Sequence, residues 1–164
     1  MVDLELTRTS GDRRMYALDD VGTLRLEGLF SRAATAEAGG TRWRFARAGF
    51  WRSEIEATGA DGTVVGVFEP RSVRRGGTVR WADRDLSLRP ASSWRERYAL
   101  VDGSHELAVL DGKGWGDRPV QVTVDDAAAL EPGLVLFAAF VVRGLAEDAQ
   151  GAAGAAASSA AIGG

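Results

Sequence analysis

Three arginines on one short connection are the residues best placed to do chemistry in this chain. Arg71, Arg74 and Arg75 immediately precede Gly76-Gly77, and the nearest acid upstream is Glu69. Guanidinium groups grip phosphate oxygens bidentately, and glycines let backbone N–H groups come close to an anion. The spacing therefore predicts an anion-binding loop, extended by Arg80 and by Arg47 and Arg52; the same composition also suits a solvated loop with no ligand. Other candidates are weaker. Asp111-Gly112-Lys113-Gly114-Trp115-Gly116-Asp117 is glycine-rich, but it lacks the Walker spacing and the following Ser or Thr, and it joins two strands instead of opening a helix. His105 is the only histidine, flanked by Ser104 and Glu106; neighbours on a hairpin point apart and form no catalytic relay. The pairs Asp19-Asp20 and Asp125-Asp126 read as turn and helix-start acids rather than metal ligands.

Composition narrows the chemistry further. The 164 residues include no Cys and one His, which removes disulfides, thiol catalysis and multi-His or Cys-ligated metal sites. No cofactor and no enzymatic activity are expected. The formal charge of −3 conceals a gradient: residues 41–97 carry twelve Arg against seven acids, and both flanks are acidic. A basic middle points to an anionic partner unless folding mixes the segments. A tight turn at Gly49 would set Arg44 against Glu54 and Arg42 against Glu56, cancelling part of that charge. Trp43, Trp51 and Trp81 lie in the same basic third and would suit base stacking. Alternation, however, puts Trp43 with Phe45 and Trp81 with Val79 on an apolar face, so core packing is expected and nucleic acid is not.

These residues must be positioned by strands. Leu24-Arg25-Leu26-Glu27, Leu86-Ser87-Leu88-Arg89 and Val120-Gln121-Val122-Thr123-Val124 alternate apolar and polar, the period of a strand with one buried face. Turn signals recur roughly every ten residues, which predicts about twelve strands in an antiparallel meander. A turn at Asp83-Arg84 would bring Trp81 opposite Leu86, and a loop at 102–105 would bring Leu100 opposite Leu107. The exception is residues 134–142, which are apolar without interruption and follow Pro132. Pro at the first turn and the acids before it predict a helix near 131–148, too short in its apolar part to span a bilayer. A helix apolar all round must be buried all round, and closing the sheet around it does this while removing the sheet edges. The expected fold is all-β with one helix: a closed antiparallel barrel of about twelve strands around a hydrophobic C-terminal helix. Residues 1–148 form this one domain, and 149–164, mostly Ala, Gly and Ser, a flexible tail.

This arrangement resembles the tubby C-terminal-like barrels, a group that includes LURP-one-related proteins, phospholipid scramblases and small bacterial members without an established role. The residues carrying the resemblance are Gly76-Gly77-Thr78-Val79-Arg80-Trp81, Arg95-Glu96-Arg97-Tyr98-Ala99-Leu100, Gly114-Trp115-Gly116-Asp117-Arg118-Pro119-Val120 and Pro132-Gly133-Leu134-Val135-Leu136-Phe137-Ala138-Ala139-Phe140. The resemblance implies a twelve-stranded barrel with a central helix and suggests phospholipid binding. No lipid-contacting residue of the family is carried over; Arg71, Arg74, Arg75 and Arg80 come from the sequence itself. The resulting expectation is a non-enzymatic module recognising anionic phospholipid headgroups, cytoplasmic and peripheral to the inner membrane face, without a transmembrane segment. The alternative is a structural or protein-interaction domain.

Overall fold

The computed structural model describes residues 1–28, 32–71, 75–93, 96–112, 120–125 and 130–162. Twelve strands precede one helix: β1 (Val2–Arg8), β2 (Met15–Leu18), β3 (Gly22–Leu26), β4 (Ala34–Ala38), β5 (Thr41–Arg47), β6 (Ile55–Gly59), β7 (Val64–Pro70), β8 (Gly77–Trp81), β9 (Arg84–Pro90), β10 (Arg97–Asp102), β11 (His105–Asp111), β12 (Val120–Val124) and α1 (Pro132–Ile162). Each strand pairs antiparallel with the next, and β12 pairs with β1, so the sheet is a closed barrel. The predicted fold class is the observed one.

Alternation sorts each strand into an inner and an outer face. In β3, Leu24 and Leu26 are buried and Arg25 is exposed; in β8, Val79 and Trp81 are buried and Arg80 is exposed. The inward side chains enclose α1, whose residues 134–142 are all buried. Phe137 sits at the centre of an aromatic cluster, its ring 5.1 Å from Phe45 and 5.6 Å from Trp81. The start of the helix is fixed from two sides. The Glu131 carbonyl accepts the first helical bond from Val135 N, and the Glu131 carboxylate accepts Trp81 Nε1–H at 2.9 Å. Next to it, Gly133 lies so close to Trp43 and Trp81 that a Cβ there would fall 2.7 Å from each indole.

Four details differ from expectation. The helix does not stop near residue 148: α1 continues through Ile162, taking up most of the stretch expected to be a flexible tail. Alanine has the highest intrinsic helix propensity, and an already formed helix needs no new nucleus to extend. The β8–β9 turn is Ala82-Asp83, with Ala82 at φ 50°, so Val79 rather than Trp81 opposes Leu86. A bulge between Leu100 and Val101 moves Leu100 opposite Ala108 instead of Leu107. The β5–β6 connection is wide and not a tight turn at Gly49, so Arg44 opposes Thr58 on β6. Consequently the outward arginines of β5 pair on their other side: Arg44 with Glu27 at 2.7 Å and Arg42 with Glu37 at 3.0 Å. The Arg44 hydrogen bonds hold the Glu27 carboxyl below its ordinary range.

The two barrel ends are built differently. At one end the strands are joined by the short turns 19–21, 39–40, 60–63, 82–83 and 103–104. At the other they are joined by the longer connections 9–14, 27–33, 48–54, 71–76, 91–96 and 112–119. The helix enters at the short-turn end, where Pro132 and Val135 lie near Asp19 and Val124. It leaves at the long-loop end, where Arg32 grips Asp148 at 2.6 Å. Among the described residues no helix is long and apolar enough to cross a membrane.

Candidate anion-binding rim

Charge divides between the two ends. Every charged residue in the short turns is acidic: Asp19, Asp20, Asp61 and Asp83, joined by Asp125 and Glu131 beside the helix start. The long connections carry Arg13, Arg14, Arg32, Arg52, Arg71 and Arg75. Among the described residues their acids are engaged: Asp12 with Arg25 at 3.1 Å, Glu27 with Arg44, Glu54 with Arg52 at 3.6 Å, and Glu96 with Arg75 at 2.6 Å. Among the described arginines at this end, Arg13, Arg47, Arg71, Arg89 and Arg97 are exposed and have no side-chain partner. A fixed excess of unpaired guanidinium on one rim, with carboxylates on the other, makes the barrel electrically polar.

The sequence-predicted residues do not form one cluster. Arg71 stands exposed at the base of its loop, which its own backbone closes by donating to the Gly76 carbonyl at 3.0 Å. Gly76 adopts φ 92° against the Leu88 carbonyl, a position only glycine fills without strain. Arg75 has a different task. Its guanidinium donates to Glu96 and to the Ser92 and Ser93 carbonyls, tying the 71–76 loop to the 91–96 loop. Glu96 also accepts the Tyr98 O–H at 2.7 Å. Burial, reinforced by that bond, pushes the Tyr98 phenol well above its ordinary pKa. Arg80 lies on the outer wall of β8, 3.5 Å from Glu69 on β7. Arg74 lies outside the described residues, as does the glycine-rich loop from Lys113 to Asp117.

Beside the exiting helix the rim opens into a cavity of about 220 Å³. Ile55, Phe68, Phe140 and Val141 form its apolar floor, and Arg32, Arg47 and Arg143 reach its edge. Arg143 is pinned by Glu147 at 2.7 Å and by the Tyr16 ring, 5.3 Å from its guanidinium carbon. Among the described residues, Arg47 is therefore the cation at this opening that is free to meet a ligand.

Sequence reasoning missed two residues on this rim. Phe50 and Trp51 are 88% and 92% exposed, the rings edge to face at 5.1 Å. Core packing, expected of Trp51 with the other tryptophans of the basic third, holds for Trp81 and in part for Trp43, but not for Trp51. The signal was present: two consecutive large aromatics cannot both face inward under period-two alternation. At the opposite end, His105 lies 3.7 Å from Asp125, with Ser104 in the adjoining turn. No family model, curated protein or solved structure matches the chain at a significant level.

Proposed function

We propose that this chain is a non-enzymatic binding module that docks its long-loop rim on anionic phospholipid headgroups, in keeping with its resemblance to the tubby-like barrels. The observation that carries the reading is the segregation of charge: unpaired arginines on the rim where the helix leaves, acids on the other. Arg71 and Arg47 are the contacts, since their guanidinium groups are exposed and unspent; Arg75 positions the Arg71 loop through Glu96. Juxtaposed cations of this kind add about 1 kcal/mol of attraction each to an anionic leaflet and act within a Debye length.

Sedimentation with vesicles of phosphatidylcholine, and of phosphatidylcholine mixed with phosphatidylserine, tests the reading. Binding to the mixed vesicles should exceed binding to the neutral ones and fall as salt rises. Equal binding to both, or none to either, would sink it. An excess of free inorganic phosphate separates the sources of the anion: a headgroup site on a surface survives it, whereas a pocket for free phosphate is emptied.

A further inference from the structure

The exposed aromatics on the rim have a geometry of their own. Phe50 and Trp51 occupy the two central positions of a turn closed by Arg52 N donating to the Gly49 carbonyl at 3.4 Å. The base of the connection is held by Ala48 N donating to the Glu54 carbonyl at 3.0 Å. Both rings are almost fully exposed, and among the described residues they stack only on each other. Arg47 and Arg52 flank the pair on either side in the chain, and Arg71 stands on the neighbouring connection of the same rim. Paired large rings at the apex of a short, backbone-braced turn expose apolar surface to water at a cost that only a partner relieves.

We propose that the tip bearing Phe50 and Trp51 inserts into the interfacial layer of an anionic bilayer, with Arg47 and Arg52 left at headgroup level. This rests on the headgroup reading above and adds to it the element that penetrates. Aromatic rings favour the depth where a lipid interface turns from polar to apolar, and arginine stems reach back from there to phosphate. Positive charge around the tip complements an anionic surface. A second copy of the chain does not fit as the occupant. Two aromatic side chains offer roughly 150–250 Å² each, far below the roughly 800 Å² per partner that a stable protein interface buries.

The test uses the full chain, vesicles of phosphatidylcholine mixed with phosphatidylserine, and the same mixture with brominated acyl chains. Trp51 is isolated by comparison with W51F, since other tryptophans contribute to the emission. On binding, the wild-type spectrum should shift to the blue and be quenched by the brominated chains, and the W51F difference should carry that change. F50S/W51S should bind the mixed vesicles roughly 10- to 100-fold more weakly while melting at the wild-type temperature. If vesicle-bound protein shows no bromine quenching assignable to Trp51, and F50S/W51S binds as wild type, insertion is wrong and headgroup docking stands. If the wild type binds neither vesicle, both readings fall. A wild-type dimer that F50S/W51S converts to monomer would also overturn the proposal, because the tip would then be covered by a second copy.

Discussion

Phe137 and Phe50 are the same residue in opposite surroundings, and truncating each to alanine tests the architecture directly. Phe137 is fully buried on α1, in ring contact with Phe45 and Trp81. Losing its transfer free energy costs about 2 kcal/mol. The cavity it leaves, enclosed by a closed barrel that collapses poorly, adds about 2 kcal/mol more, within the roughly 3–5 kcal/mol seen for such truncations. At about 2–4 °C per kcal/mol for a domain of this size, Phe137→Ala should lower Tm by roughly 8–16 °C. Phe50 is 88% exposed, so Phe50→Ala should change stability by less than about 0.5 kcal/mol. Urea unfolding followed by near-ultraviolet circular dichroism measures both. A loss below about 1 kcal/mol for Phe137→Ala, or a larger loss for Phe50→Ala than for Phe137→Ala, would refute the placement of α1 as the hub of the barrel.

Other consequences are open to measurement. Arg71→Glu replaces an attraction of about 1 kcal/mol with a similar repulsion, so partition onto anionic vesicles at low salt should fall roughly 30-fold with Tm unchanged; sedimentation reads the first and calorimetry the second. Arg75→Ala removes the guanidinium that donates to Glu96 Oε1 and to the Ser92 and Ser93 carbonyls, and should cost about 1–2 kcal/mol in urea unfolding and speed amide exchange around the 71–76 and 91–96 connections. Tyr98 holds its proton in the folded state above the unfolded value of 10.0. The native state thus binds more protons than the unfolded chain, so stability should be intact below about pH 10 and decline above it. Tyr98→Phe should flatten that alkaline decline, as seen by urea titration across the range.

The barrel was legible because its signals are local. Period-two alternation and regularly spaced turns mark the twelve strands in order, and the apolar run after Pro132 marks what they surround. The misjudged features depend on interactions that alternation does not encode. The Ala82-Asp83 turn relies on a left-handed backbone at Ala82, and the bulge at Leu100 and Val101 on how two strands meet around the barrel's curve. The width of the 48–54 connection decides whether Glu54 faces a strand or a loop, and with it which acids β5 meets. For the rim, the arginines stood out in the sequence, but their availability did not. Arg71 and Arg75 belong to one run, yet one is free and the other is held by a carboxylate 21 residues away in the chain. Only the folded partners separate a contact from a latch.

The continuation of α1 beyond the barrel sets how any flat surface can be met. From Asp148 to Ile162 the helix projects by about 20 Å at 1.5 Å per residue, and it does so from the long-loop end. A barrel standing upright would rest on this stem like a mushroom cap on its stalk, with its rim held clear of the plane below. Contact through the loops therefore requires the barrel to lean, and a leaning cylinder touches along one sector only. The 48–54 and 71–76 connections are adjacent in the strand order, whereas the 9–14 connection lies diametrically across from 71–76. A lean that seated Phe50, Trp51 and Arg71 would lift Arg13 away, so docking of the proposed kind would use one edge of the rim rather than the whole ring.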